Sequence, residues 1–391
     1  MSDVLMRLRN TFQKLLGILV WALGALVFGA ASVIRVVLRP LGASKSRQVS
    51  GPVICIVAGV KGWESIEFRE ISQSAREYVG KAKVIELIVR SSRDYLRQVW
   101  RTLTDFEVTH YLFDPRTGSQ SVVGASFQAA AIGIMLAVRG VTPIGYCTDV
   151  SLRRWRLQVV FLTALKGVCV CFMDSSALRR IFPHRRIVGP SIMPFSIETF
   201  ERVALMGGNR SDRRKKLVSF AGSLYEPRTT MLFQIREALE NDGVSFDIST
   251  RKLGEPKDPE DSYWAALSGS EIQVTTTSQI RHRGADLSEV NQLVYRATEA
   301  LVCGAALIIE AAPGVGTFFQ DEVHICCFSS AEEAASIAKQ LLADRSKLAD
   351  IQRAGHRRIE ELIRDQVFWV TVDETLGRFL QPRLLRIETV A

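Results

Sequence analysis

The fold is decided by the run PVICIVAG at residues 52–59, which is apolar, rich in β-branched residues and ends in glycine. A continuous apolar run of this length is typical of a strand that is buried on both faces of a parallel sheet. Similar runs follow at residues 83–89, 110–114, 142–146 and 167–173. Longer helix-like stretches, such as residues 126–139, separate them. Strands that alternate with helices indicate βαβ units and a doubly wound sheet.

A second series of the same kind begins after residues 207–216, a polar and basic stretch that interrupts the apolar rhythm. Its strands are predicted at residues 217–221, 244–249, 272–276 and 306–311. Its helices are predicted at residues 229–241, 258–268, 293–303 and 331–344. We therefore expect an α/β protein whose two Rossmann-like, doubly wound domains, residues 49–206 and 207–391, face a cleft that binds ligands.

A hydrophobic segment precedes both domains. Residues 15–34 are 20 residues without a charge, flanked by Lys14 and Arg35. This length matches the roughly 20 residues that span a bilayer core, so residues 1–48 are predicted to be a membrane anchor, either a single-pass helix or a monotopic one. The basic flanks favour a cytoplasmic body. A cleaved signal peptide is the competing interpretation.

The net charge of +9 is concentrated in one part of the chain. Residues 151–216 hold 14 Lys or Arg against 4 Asp or Glu. A membrane with anionic lipid, or an anionic substrate, is the expected partner of this segment, and a solvated surface is the alternative. Nucleic acid is not an expected partner, because no module that reads it accompanies the basic residues.

Several common site signatures are missing from the sequence. The seven cysteines lack C-x-x-C spacing and mostly lie in apolar runs, so they are predicted to be reduced core residues and not metal ligands. The acidic cluster at residues 258–261 precedes a predicted helix and is interpreted as its N-cap. No P-loop and no G-x-G-x-x-G follows a strand, which disfavours ATP hydrolysis and NAD binding.

The segment VSFAGSLYEPR, residues 218–228, carries residues suited to a nucleotide. Its predicted strand ends at Gly222, Ser223 follows, and Arg228 lies near the start of the next helix. Glycine lets the backbone approach a ligand, and a helix N-terminus with a nearby arginine offers donors to a diphosphate. A tight turn with a surface arginine is the alternative.

The segment YRATEALVCGAALIIE, residues 295–310, places Arg296 and Glu299 on one helix face and Gly304 at the turn after the helix. A carboxylate at Glu299 can accept both hydroxyls of a ribose. An ion pair on the helix surface is the alternative. The glycine-rich turn AAPGVGTFF, residues 311–319, follows and is predicted to lie near a sugar.

The order of these segments resembles the GT-B glycosyltransferases, in their exostosin-like and family-one-like branch, over residues 217–370. The residues that carry the resemblance are Gly222, Arg228, RATEALVCG at 296–304 and DEVHICCFSSAEE at 321–333. The resemblance implies that Glu299 holds the donor ribose and that Arg228 stabilises the diphosphate leaving group. It implies a donor site made of Gly222, Ser223, Arg228, Arg296, Glu299 and Gly304. It also implies that no metal and no cofactor other than the nucleotide-sugar donor is needed.

The sequence departs from this family at one position. Many retaining relatives place a glutamate eight residues before the second one, where this chain has Asn291. The stereochemical outcome therefore stays open. On the acceptor side, Asp149 and Asp114 follow predicted strands, and Asp149 is the predicted general base, while a capping role is the alternative for both.

The sequence thus predicts a membrane-anchored glycosyltransferase of polysaccharide biosynthesis. Its donor is a nucleotide-sugar, and its acceptor is a lipid-linked or cell-envelope glycan at the membrane face. The alternative is a non-catalytic scaffold that keeps the fold and has lost turnover, because a fold does not fix a function.

Overall fold

The structure is a computed structural model that describes residues 51–148, 150, 152–164, 167–172, 175–183, 185–206, 216–251, 260–278, 291–312 and 314–377. The predicted anchor at residues 15–34 and the predicted base Asp149 lie outside the described residues. The chain divides into two compact units. The first comprises the described parts of Met1–Val170, Leu178–Val188 and Val372–Ala391, and the second those of Cys171–Ala177 and Gly189–Thr371.

The described residues form eleven strands and fourteen α-helices. The strands are β1 (Ile54–Gly59), β2 (Val84–Val89), β3 (His110–Phe113), β4 (Thr142–Cys147), β5 (Val168–Cys171), β6 (Arg186–Val188), β7 (Lys216–Ser223), β8 (Phe246–Arg251), β9 (Ser270–Thr275), β10 (Ala306–Glu310) and β11 (Cys326–Phe328). The helices are α1 (Val60–Trp63), α2 (Ile66–Val79), α3 (Tyr95–Asp105), α4 (Val122–Arg139), α5 (Arg153–Leu162), α6 (Ser175–Ile181), α7 (Ile197–Met206), α8 (Arg228–Glu240), α9 (Glu260–Ser268), α10 (Tyr295–Val302), α11 (Val315–Phe318), α12 (Ala331–Ala343), α13 (Arg345–Arg364) and α14 (Val367–Leu376).

The first unit contains a six-stranded sheet with the order β2-β1-β3-β4-β5-β6. β1 pairs in parallel with β2 and β3, as do β3 with β4 and β5 with β6. Five of the six β1 residues are buried, which explains why its sequence lacks the polar alternation of a strand with one wet face. Helix α4 begins at Val122, four residues before its predicted start, because the Ser121 hydroxyl caps it by accepting the Gly124 N–H at 3.0 Å.

The second unit contains a five-stranded parallel sheet with the order β11-β10-β9-β7-β8. Its core includes Val218, Phe220, Leu232, Ile272 and Ile308. The chain adds β8 on one side of β7 and then β9 on the other, so the strand order reverses between β7 and β9. Ligands of open α/β sheets bind at the carboxyl ends of strands at such a switch point. Both sheets confirm the predicted α/β, doubly wound architecture.

The boundaries between the two units differ from the predicted boundary between residues 206 and 207. Helix α7 belongs to the second unit, where Arg202 pairs with Glu260 of α9 and the Phe200 ring stacks on His356 of α13 with centroids 5.3 Å apart. The end of α14 belongs to the first unit, where the Tyr78 hydroxyl donates to Asp373 at 3.3 Å. These contacts join residues far apart in sequence, so a local break in the apolar rhythm does not reveal them.

Candidate functional site

The candidate site lies in the second unit, at the carboxyl ends of β7 and β9. β7 ends in Gly222 and Ser223, and Thr276 follows β9 directly. Gly222 has a φ of +153°, a conformation that side-chain-bearing residues rarely adopt. The predicted strand-to-helix turn with a special glycine is therefore present at the switch point of this sheet.

Arg228 connects the ends of the two strands. It is the first residue of α8 and is only 5% exposed. Its Nε donates to the Thr276 hydroxyl at 2.8 Å, and its Nη2 is 3.5 Å from the Thr276 carbonyl oxygen. Its Nη1 donates to the Ser223 carbonyl oxygen at 3.3 Å. These bonds hold the guanidinium across the switch point, and the burial contradicts the alternative of a surface arginine.

The charge of Arg228 is faced by aromatic rings. Its Cζ lies 4.2 Å from the ring centroid of Tyr225 and 5.5 Å from that of Phe220, and within the described part of the chain it forms no ion pair. Burial above all, with repulsion from Arg296, lowers the pKa of Arg228 to about 10, so the group stays charged at neutral pH. No described carboxylate forms an ion pair with this guanidinium, and the more distant charge of Glu310 raises its pKa only in part, so the buried cation is suited to bind an anion.

A second guanidinium lies beside the first. Arg296 Cζ lies 5.3 Å from the Phe220 centroid, so Arg296 and Arg228 both contact this ring. A Cβ placed on Gly222 would lie 2.5–2.8 Å from the guanidinium atoms of Arg296. Residue 222 must therefore lack a side chain for Arg296 to reach this position, and the two arginines concentrate positive charge at the end of β7.

Glu299 is buried one turn further along α10, at 4% exposure. It hydrogen-bonds with Tyr263 of α9, whose hydroxyl also lies 3.5 Å from Nη1 of Arg296. Burial, and then the nearby charge of Glu299, raise the pKa of Tyr263, which keeps the phenol protonated. The low exposure of Glu299 contradicts the alternative of a surface ion pair and leaves a positioned carboxylate beside Arg296, whose pKa its charge raises.

Gly304 lies away from this group of residues. It adopts a left-handed φ of +66° just after α10 and precedes β10, whose first residue pairs with Ile272 of β9. It therefore lies at the amino ends of the strands, whereas Arg228 and Gly222 lie at the carboxyl ends. The predicted turn is present, but its place in the sheet separates Gly304 from the other predicted donor-binding residues.

Sequence reasoning missed Glu310, the last residue of β10. Its Oε2 accepts the N–H groups of Thr277 at 2.8 Å and Ser278 at 3.1 Å, and its two carboxylate oxygens also accept the hydroxyls of both residues. The Ser278 hydroxyl is also 3.3 Å from Oδ1 of Asn291. Glu310 thus holds the loop that begins at Thr276, the partner of Arg228. Its position at the end of a predicted strand is the one signal that the sequence offered.

The glycine-rich turn at residues 311–319 packs against Pro190 of the same unit. Gly314 has a φ of +95°, and a Cβ placed on it would lie 2.7 Å from Cβ of Pro190. The backbone of the turn therefore packs closely on Pro190. Gly316, two residues later, has open space around the position of a Cβ.

On the first unit, Asp114 follows β3 at the switch point of that sheet. It is 4% exposed and accepts the backbone N–H of Arg116 at 2.9 Å and the Nε of the same residue at 2.9 and 3.1 Å. Arg116 in turn lies 3.8 Å from Glu67. Asp114 is thus engaged in a turn and an ion pair, which matches the capping alternative for this residue.

Glu260 and Asp261, the described part of the acidic cluster, lie in the first turn of α9 and not before it. Glu260 accepts the indole N–H of Trp264 at 3.2 Å and pairs with Arg202, and Asp261 accepts a second N–H of Arg202 at 3.0 Å. None of the seven cysteines, all of which the structure describes, forms a disulfide, and all but Cys327 are buried. The described residues contain no group of three His, Cys, Asp or Glu side chains placed to hold a metal ion.

Comparison with known proteins shows what part of the chain is similar to a known family. Residues 232–362, all within the second unit, match the sequence model of a family described as glycosyl transferase-like. This match and the two-sheet fold confirm the predicted resemblance to the GT-B glycosyltransferases, and they support glycosyltransferase activity. No curated protein matches the chain in sequence.

Several solved structures share the fold over both units. HepE of Anabaena, solved with UDP and glucose, is 11% identical, with a TM-score of 0.54, 84% of this chain covered and 98% of that chain. Sucrose-phosphate synthase of Thermosynechococcus elongatus is 10% identical, with a TM-score of 0.53 and the same coverage. A glycosyltransferase of Rickettsia africae is 8% identical, with a TM-score of 0.51 and, again, 84% and 98% coverage. At these identities the likeness concerns the fold.

Proposed function

We propose that the chain transfers a sugar from a nucleoside diphosphate sugar to an acceptor hydroxyl at a membrane surface. The observation that supports this most is Arg228, a buried guanidinium that bridges the ends of β7 and β9 and forms no ion pair with a described residue. A diphosphate is the anion that a paired set of guanidiniums binds well, since each oxygen can accept charge-assisted hydrogen bonds.

In this proposal the donor lies across the switch point of the second sheet. Arg228 and Arg296 bind the diphosphate, and the backbone at Gly222 and Ser223 leaves room for it. Glu299, held by Tyr263, accepts the ribose hydroxyls. As in HepE, which was solved with UDP-glucose, a UDP-sugar is the first donor to test. Positive charge from two arginines replaces the role that a metal ion plays in other transferases, so the reaction is proposed to be metal-independent.

The reaction breaks the bond between the anomeric carbon and the diphosphate oxygen and forms a bond from the acceptor oxygen to that carbon. The leaving diphosphate gains negative charge, which Arg228 and Arg296 stabilise. The acceptor hydroxyl loses its proton to a general base, and Asp149 is proposed for this role. Asp149→Asn is expected to lower turnover and leave donor binding unchanged, because it removes the proposed base and none of the residues proposed to bind the donor.

The acceptor is proposed to be a lipid-linked or cell-envelope glycan, presented to a cytoplasmic body that residues 15–34 anchor to the membrane. The apolar length of that segment and the basic segment 151–216 support this part of the proposal. If deletion of residues 1–47 together with charge reversal at Arg153, Arg154 and Arg156 leaves the membrane-bound fraction unchanged, the membrane part is wrong.

Nucleotide release by the full-length protein in lipid vesicles, with UDP-, GDP-, ADP- and CMP-sugars, tests the transferase proposal. One donor is expected to give turnover that Arg228→Ala and Glu299→Gln abolish. Arg236→Ala is the matched control, because Arg236 lies on the same helix and its guanidinium interacts with Phe233 and Glu240 instead of the candidate site. Donor binding without release in any acceptor mixture would favour the non-catalytic scaffold, for which Asn291 in place of a glutamate is the supporting observation.

A further inference from the structure

Helix α4 has an apolar face that other described residues leave exposed. Ala125, Ala129, Ile132 and Leu136 form its buried stripe. Outside this buried stripe, three large apolar side chains form the exposed face: Val123 at 42% exposure, Phe127 at 65% and Val138 at 59%. Among the described helices it alone is long and apolar enough to cross a membrane, yet it is capped at both ends and flanks β4 of the sheet. Such a helix is suited to lie against an apolar surface and not to span one.

The apolar face is bordered by arginines at both ends. At its start, Arg154 of α5 donates from Nη1 to the carbonyl oxygen of Gln120, two residues before α4 begins, at 3.1 Å. At its end, Arg139 Cζ lies 5.5 Å from the ring centroid of Trp100, which is itself 47% exposed. The 18 residues of α4 span about 27 Å, so an apolar strip of that length runs between two basic ends.

The charges of the two helices have a single sign. α4 and α5 pack against each other and together carry Arg139, Arg153, Arg154 and Arg156 but no Asp or Glu. A second copy of the chain docked on this face through the same residues would bring arginines against arginines. A partner that is both apolar and negatively charged matches the face, and an anionic lipid surface has both properties.

We propose that the face made of Val122, Val123, Phe127, Val138, Arg153 and Arg154 inserts into the interface of a membrane that contains anionic lipid. Phe127 and Val123 enter the acyl boundary, and the arginines bind lipid phosphates. This contact is separate from the anchor proposed at residues 15–34. It does not rest on transferase activity, and it orients the first unit relative to the lipid.

The test places the photo-crosslinking residue p-benzoylphenylalanine at position 127 of the full-length chain, with position 205 as the matched control. Leu205 is also an exposed apolar helix residue, at 83% exposure, but it lies on α7 of the other unit. The probes are vesicles of pure phosphatidylcholine and vesicles with about 30 mol% phosphatidylglycerol, an amount that makes the surface strongly anionic. Lipid adducts are counted by mass spectrometry.

The expected result is a lipid adduct at position 127 that exceeds the one at position 205 and grows with anionic lipid. Arg153→Glu with Arg154→Glu should reduce it by about 25-fold or more, since each of the two basic residues near an anionic leaflet contributes about fivefold in binding. Equal adducts at positions 127 and 205, or no response to anionic lipid, would overturn the proposal. So would a cross-linked dimer through position 127. Nucleotide release measured on the same samples separates this outcome from failure of the transferase proposal.

Discussion

Removing the carboxylate of Glu310 should loosen the loop that positions Arg228. In Glu310→Ala the backbone N–H groups of Thr277 and Ser278 lose the acceptor that lies 2.8 and 3.1 Å away. Thr277 is fully buried, so water does not readily replace the carboxylate there. A buried donor left without a partner costs about 1–3 kcal/mol, so the Thr277 N–H alone predicts a loss of about 1–3 kcal/mol from the local stability of the second unit, and the half-buried Ser278 N–H, which water can reach, adds little.

Glu310→Gln should lower the local stability of the second unit by less than half of that amount. Its amide oxygen can accept the same two backbone N–H groups, and only the extra strength of a charged acceptor is lost. Glu240→Ala is the control, because Glu240 is exposed at the end of α8 and should change stability by no more than about 0.5 kcal/mol.

Native-state hydrogen exchange of peptides from β7 and β9 measures this stability within the second unit. Donor affinity should fall along with it, because Thr276 of the same loop accepts the Nε–H of Arg228. If Glu310→Ala leaves exchange in these strands unchanged, or if Glu310→Gln is as damaging as Glu310→Ala, the loop does not depend on this carboxylate and the reasoning fails.

Three further predictions follow from single residues. Gly222→Ala should weaken donor binding about tenfold or more because its Cβ displaces Arg296, while Gly316→Ala, where a Cβ meets open space, should leave affinity unchanged in a titration. Because burial lowers the pKa of His110 to about 4, the unfolded state binds a proton that the folded state does not. Stability of the first unit is then complete above about pH 6.5 and falls by about 3 kcal/mol toward pH 4, and His110→Asn should flatten this slope in urea unfolding. Burial raises the pKa of Cys327 to about 12, so a thiol reagent at neutral pH should find no fast-reacting cysteine in the native chain, and a fast thiol would contradict the described packing.

Local pattern was sufficient to predict nine of the eleven described strands and two of the candidate site residues, but not the three-residue strands β6 and β11. The apolar runs at β1 and β7 predict buried parallel strands, since neither face of such a strand contacts solvent. Arg228 follows a predicted strand by a few residues and Glu299 lies on a predicted helix, and both belong to the α/β pattern whose switch point binds ligands.

The remaining features depend on contacts that no local pattern encodes. Glu310 and Thr277 are 33 residues apart in sequence, and their pairing exists only once β9 and β10 lie side by side. Helix α7 joins the second unit through Arg202 and Glu260, which are 58 residues apart. Gly304 was predicted in the site because its segment contains Arg296. Helix α10 separates the two residues, so Gly304 lies at the amino ends of the strands and not at their carboxyl ends.

The central claim is that Arg228 binds the diphosphate of the donor. The affinities of UDP and of uridine, measured by calorimetry for the full-length protein, for Arg228→Ala and for the control Arg236→Ala, test it most directly. Arg228→Ala should weaken UDP binding by about 10- to 100-fold, the value of a lost charge-assisted hydrogen bond, and leave uridine binding unchanged. Circular dichroism of the variant and partial rescue by Arg228→Lys distinguish this loss from misfolding. Equal losses for UDP and uridine in a folded variant, or a UDP affinity that Arg228→Ala does not change, would contradict the account.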